Sequence, residues 1–251
     1  MNTTKPVLVL GSAPNVMASR YLPKSFFSSI VAINNAWQVR DDWDYHIAPD
    51  DFAQDRMPQG LSAGQALIRS DAYVPANNAY GGIIYAGATM AFTAGYWVLS
   101  ALRPSAIIFW GCDMMYPAQG KGHFYGAGTA DPLRDDVTLR NLEAKSARLM
   151  QHAAMQGCAC LRAPEGDSRL VFPTVDVRKL SSMTILPALP DPKAFQRALQ
   201  QEAELGYFVR SGRYWDSDIE YSGEALDTVD QMWIEASQKG GAALDGMRAR
   251  A

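Results

Sequence analysis

The stretch GCDMMYPAQGKGHFYG, residues 111–126, carries His123, one of only three histidines in the 251-residue chain. Four glycines and two tyrosines share that stretch, a composition with little use inside a packed element. An imidazole titrates near neutrality and is the usual proton acceptor in enzymes. A tyrosine hydroxyl can donate a hydrogen bond to a departing phosphate oxygen. These residue types predict an active-site loop, with His123 as general base and Tyr116 or Tyr125 steadying the leaving group. The other histidines read as structural: His46 lies inside a strand-like run and His152 on a helical pattern.

Further candidates lie where apolar runs end. In LGSAPNV, Gly11 allows a tight turn, and the small Ser12 and Ala13 let a phosphate or ribose approach the backbone before Pro14 and Asn15. The stretch has neither the spacing G-x-G-x-x-G nor a Walker lysine. Asn34 and Asn35 offer donors and acceptors to a base, ribose or phosphate, and are equally ordinary turn residues. Gly87 and Thr89 open a helical stretch whose free N–H groups suit an anion, although plain capping is the preferred reading taken alone. Asp50 and Asp51 end a strand-like run, and Asp216–Ser217–Asp218 matches the D-x-D pattern of many metal-dependent glycosyltransferases. Both are weak metal candidates. Cys158 and Cys160 have no second pair to complete a zinc site and read as alternate residues of a buried strand. Arg210–Arg213, RSGR, could grip an acidic substrate or form a solvated turn. The expectation is no metal and no cofactor.

The elements that must position these residues read as strands at 6–11, 29–34, 44–51, 81–87, 105–113 and 158–163. Between them lie helical patterns at 88–103, apolar nearly all round, and at 135–157, where Leu139, Leu142, Ser146, Leu149 and Ala153 mark one face. Strands alternating with helices predict an α/β, Rossmann-like, mostly parallel sheet flanked by helices. Ligands bind such sheets at the carboxyl ends of the strands, where the candidates cluster. A proline-rich break near residue 187 divides the expected domain 1–187 from a helical C-terminal appendage, 188–251. The appendage reads as two helices, 193–208 and 222–238, with a frayed end. Its aromatics Tyr207, Phe208, Tyr214, Trp215 and Trp233 are expected to be exposed, and could cover the active site or join subunits in a homo-oligomer.

Bulk properties bound the function. Net charge is −3, without the broad basic footprint of a nucleic-acid binder, while free nucleotides stay open. Three cysteines in a chain this long argue against a disulfide framework and for a reduced, cytoplasmic setting. No run is long enough for a transmembrane segment, and MNTTKPVLVLG lacks the plan of a signal peptide. No internal repeats are found.

In order along residues 6–165, VLVLGSAPNV, VAINNAW, GATMAFTAGYWVLSALRPSAIIFWGCDMMY and GHFYG together resemble the bacterial sialyltransferases of glycosyltransferase family 42. They also resemble a wider superfamily that includes the MptE-like hydroxymethylpterin diphosphokinases. The resemblance implies metal-independent transfer of a sugar from a nucleotide donor such as CMP-sialic acid to an acceptor hydroxyl of a glycan or small molecule. It implies nucleotide binding by Gly11, Ala13, Pro14, Asn15 and Asn34, a strand end at Gly111 and Asp113, the phosphate tyrosine approximately at Tyr116, and His123 as base. The family's serine near the helix start is here Ala86 or Gly87, and residues 52–80 match poorly. Two other classes stay open: a Mg²⁺-dependent pterin diphosphokinase using Asp50, Asp51 and Asp113, and a non-catalytic nucleotide-binding protein.

Overall fold

The computed structural model describes residues 5–116, 122–126, 135–164, 166–182 and 185–248. Residues 117–121 of the histidine loop lie outside it. Six short strands form one sheet: β1 (Val7–Leu10), β2 (Ser29–Ile33), β3 (Tyr45–Ile47), β4 (Ala66–Ile68), β5 (Ala106–Trp110) and β6 (Ala159–Arg162). Their order is β4-β3-β2-β1-β5-β6, and every neighbouring pair is parallel. The chain thus builds outward from β1 to β4, crosses back, and continues on the other side of β1. This is an α/β, Rossmann-like arrangement. Its switch point lies between β1 and β5, whose last residues, Leu10 and Trp110, pair directly.

Strand residues alternate between two apolar layers, as period-two geometry requires. Val7, Val9, Val31, Ile33, Ile107 and Phe109 face helices α1 (Ser70–Asn78), α3 (Met90–Ala101) and α4 (Leu142–Met155). Leu8, Leu10, Ile30, Ala32, Ile108 and Trp110 face the other way, toward 3₁₀ segments at Pro14–Tyr21 and Asn34–Gln38 and toward Val175 and Val177. The two directions of strand addition therefore send their connections to opposite faces, as right-handed crossovers dictate. Cys158 and Cys160 are both buried in the first layer.

Helix α3 is buried along most of its length because it lies between sheet and α4. A Cβ on Gly95 would come 2.7 Å from a Leu149 methyl and 3.1 Å from the Phe109 ring. Helix α4 begins at Asn141, whose side chain accepts from Ala144 N–H at 3.0 Å. Just past its end, Gly157 takes φ +75°, a left-handed conformation that favours glycine.

Residues 81–87, expected as a strand, instead contain a helical turn, α2 (Ile83–Ala86). Gly81, Gly82 and Gly87, at φ +94°, +91° and +86°, cannot continue an extended ladder, so the run they enclose coils. Its place beside β3 is taken by β4, a three-residue edge strand in the poorly patterned 52–80 segment.

The C-terminal helices are α5 (Pro192–Leu205) and α6 (Gly223–Arg248). The first starts at Asp191, whose side chain accepts from Ala194 N–H at 2.8 Å, and stops at left-handed Gly206. The second continues to Arg248, beyond the fraying expected from residue 240 onward. Both pack on the main body through Ile84, Tyr85, Phe195, Leu226, Val229 and Trp233. Lys145 meets Asp230 at 2.8 Å and Arg148 meets Glu202 at 2.7 Å, all four buried. Of the tail aromatics expected to be exposed, Trp233 is wholly buried and Tyr214 nearly so, while Trp215 and Phe208 are exposed. An amphipathic helix hides one aromatic face against its neighbours, and sequence alone does not say which residues win. Among the described residues, no helix is long and apolar enough to cross a membrane.

Candidate functional site

The carboxyl ends of β1 and β5 meet through two glycines. Gly11 N–H donates to the Trp110 carbonyl at 2.8 Å, and Ala13 N–H donates to the Gly111 carbonyl at 3.0 Å. A Cβ on Gly11 would lie 2.7 Å from the Gly111 carbonyl carbon and 2.6 Å from Cys112 Sγ. Gly111 has φ +72°, and a Cβ there would come 2.7 Å from Val16 Cβ. Neither position accepts a side chain without backbone movement. The chain leaves this contact at Pro14 into a 3₁₀ segment, and Trp110 Nε1–H donates to the Asn15 carbonyl at 2.9 Å.

His123 is brought onto this first loop. Phe124 N–H donates to the Ser12 carbonyl at 2.8 Å, and Ser12 Oγ lies 2.7 Å from His123 Nδ1. The imidazole stacks on Tyr125 at 5.1 Å between centroids and 12° between planes. Burial lowers the His123 pKa below its ordinary value, and the nearby Asp113 carboxylate partly opposes this. The ring is therefore neutral at physiological pH, the form a base requires. Burial in turn raises the Asp113 carboxyl, against its hydrogen bond from Met115 N–H at 3.2 Å and the attraction of His123.

Ser12, Ala13, Gly11, Gly111, Asp113, His123 and Tyr125 thus gather around the β1/β5 switch point. Asn15 joins them: with Gly111, Asp113, Arg162 and Ser168 it lines a small cleft beside the ends of β5 and β6. Asn34 stands at the end of the next strand with φ +50° and a buried Oδ1 that has no hydrogen-bond partner among the described residues. Its carbonyl is 2.8 Å from Nε2 of the buried His46, so His46 steadies that turn, in keeping with a structural part. Asn35 is buried in the same 3₁₀ segment. Tyr116 is exposed, with its hydroxyl 3.6 Å from Met114 Sδ.

Other candidates are held elsewhere. Thr89 Oγ1 accepts from Phe92 N–H at 3.2 Å and caps α3. Gly87 packs on Lys145, whose Cγ would be 2.9 Å from an added Cβ. Capping and packing account for both. Asp50 accepts from the N–H and hydroxyl of Ser70 at the start of α1. The ends of β3 and β5 are three strand spacings apart, about 14 Å, which separates Asp50 and Asp51 from Asp113. Asp216 pairs with Arg213 at 2.8 Å, and Gly212 packs on Ile83 and Val74, so RSGR forms a turn against α1 and α2. His152 is enclosed by Tyr80, Tyr96, Phe195 and Trp233.

One residue absent from the sequence reading belongs to the site. Arg162 ends β6, and its guanidinium makes two long bonds, 3.4 Å each, to the Ala163 and Gly166 carbonyls. It is a cation at the carboxyl edge of the sheet without a close acidic partner among the described residues. Its signal was positional, an arginine closing the run CACLRA.

No protein-family model matches the chain, and neither a curated protein nor a solved structure does.

Proposed function

We propose that the chain is a glycosyltransferase, sialyltransferase-like, that moves a sugar from a nucleotide donor such as CMP-sialic acid to an acceptor hydroxyl. One observation carries the reading: the 2.7 Å contact between His123 Nδ1 and Ser12 Oγ. It ties a neutral imidazole to the first βα loop at the switch point, where open parallel sheets hold nucleotides. In this reading, residues 11–15 and Asn34 hold the nucleotide, and Arg162 neutralises phosphate charge. His123 takes the proton of the acceptor hydroxyl as that oxygen bonds to the anomeric carbon. The bond from that carbon to the phosphate oxygen breaks, and the nucleoside phosphate leaves with a hydrogen bond from Tyr125 or Tyr116. The donor is a substrate, and no cofactor is invoked.

The test is a thermal-shift panel of CMP, CDP, UDP, GDP, ATP and a pterin, each with and without Mg²⁺. A ligand at 100 times its dissociation constant adds ~2.7 kcal/mol of stability. Stabilisation by CMP without metal is expected, followed by transfer from CMP-sialic acid. Stabilisation only by ATP or a pterin with Mg²⁺ overturns the proposal in favour of diphosphoryl transfer. Tight nucleotide binding without turnover of any donor points to a binding protein.

A further inference from the structure

Ser12 meets the histidine loop twice, its carbonyl accepting from Phe124 N–H at 2.8 Å and its Oγ lying 2.7 Å from His123 Nδ1. A hydroxyl has one proton to donate and lone pairs with which to accept, and a neutral imidazole has one N–H. Two arrangements follow. If Ser12 donates to Nδ1, the ring proton sits on Nε2 and no lone pair remains for an acceptor hydroxyl. If Nδ1–H donates to Oγ, Nε2 keeps its lone pair and the serine proton can go to another oxygen.

We infer that Ser12 is the positioning residue of His123, accepting from Nδ1–H and thereby leaving Nε2 as the proton acceptor. The inference rests on the base role proposed for His123. Among the described residues, no other group hydrogen-bonds the ring, so the part often taken by an orienting carboxylate falls to this hydroxyl. Stacking on Tyr125 fixes the ring plane, and the Phe124–Ser12 backbone bond fixes the loop. The released serine proton is then available to an anionic oxygen of a ligand seated on residues 11–15. With that proton committed to the ligand, only lone pairs remain to face Nδ1, so an occupied nucleotide loop selects the base form of His123.

The experiment is ¹⁵N spectroscopy of the histidine rings in the full chain at pH 8, where His123 is neutral. The signals are assigned by their loss in His123→Ala. The expected result is Nδ1–H in the wild type, a shift toward Nε2–H in Ser12→Ala, and recovery in Ser12→Thr, which keeps the hydroxyl. Transfer by Ser12→Ala should fall about 10–100-fold, as for loss of an orienting partner, and return in Ser12→Thr. An Nε2–H ring in the wild type, or a ring form indifferent to Ser12→Ala, overturns the inference. The spectra require no substrate. A silent transfer assay beside an Nδ1–H ring would therefore defeat the proposed reaction and leave the assignment of Ser12 to the ring standing.

Discussion

Two regions of this molecule handle charge in different ways. Between α4 and the C-terminal helices the buried charges are paired, although Gln151 Oε1, His152 Nε2 and Asp230 Oδ2 have no hydrogen-bond partner among the described residues. The Arg148 guanidinium donates to both Glu202 oxygens and to the Tyr96 hydroxyl at 2.7 Å each, and also to the Tyr80 carbonyl. Glu202 additionally accepts from Trp233 Nε1–H at 2.8 Å, and Lys145 closes on Asp230. At the carboxyl edge of the sheet, polar groups are held on one side only. Among the described residues, His123 is bound through Nδ1, the Asn34 Oδ1 has no partner, and Arg162 makes only long contacts to carbonyls. Desolvated charges are costly without partners, so the paired charges hold the layers together, while in the proposed reading the open side of the sheet edge receives a ligand.

The sharpest way to break this contrast is to remove one member of the paired charges. Glu202→Ala leaves Arg148 buried and uncompensated and should cost about 3–5 kcal/mol in urea unfolding. Replacing both partners, Arg148→Met with Glu202→Leu, should recover only part of that loss, because the Tyr96 hydroxyl, the Tyr80 carbonyl and Trp233 Nε1–H lose their bonds to the pair. A cost under ~1 kcal/mol for Glu202→Ala would mean that water reaches the pair, and the contrast would fail.

The crevice should respond in rate rather than in stability. His123→Ala is expected to lower transfer by about 10²–10⁴-fold while unfolding free energy stays within ~0.5 kcal/mol. Full activity in that variant removes His123 from the mechanism.

A smaller effect separates the histidines by pH. Burial, with help from Arg148, keeps the His152 pKa well below 6.5, and burial also lowers that of His46. Below about pH 6.5 the unfolded chain binds protons that these folded rings refuse. Stability is thus full above that pH and falls as pH drops, by at most ~1.4 kcal/mol per unit for each ring. Unfolding measured at pH 7.5 and 5.5 should show the slope, and His152→Phe should flatten it. The smallest effect concerns Asp113, whose carboxylate raises the His123 pKa against burial. Asp113→Asn should move the acid limb of kcat/KM to lower pH. A shift upward would mean that Asp113 does not act through its charge.

The crevice was more legible in the sequence than the layer of paired charges. Gly11, Gly111 and His123 stand beside apolar runs, and strand-end placement needs only the order of elements. On α4 the face read from Leu142, Ser146, Leu149 and Ala153 is buried as expected, but Lys145 beside it, Arg148 on the flank and Gln151 on the far side are buried too. Charge on a helix face normally signals solvent; here α5 and α6 supply Glu202 and Asp230 from far along the chain. The short β4 and Pro75 inside α1 escaped for a different reason, since three residues and a proline carry no clear period. The aligned rings of His123 and Tyr125 are a property of the folded loop, and their adjacency in sequence did not announce it.

The floor of the crevice is made of main chain: Gly11 and Ala13 on one side, Trp110 and Gly111 on the other. A socket built this way is indifferent to most of the side chains around its rim. In the proposed reading, exchanges at Asn15 or Arg162 can therefore change which molecule is accepted while leaving the receptacle standing. Choice of substrate and survival of the fold are written in different atoms, so one can drift without endangering the other.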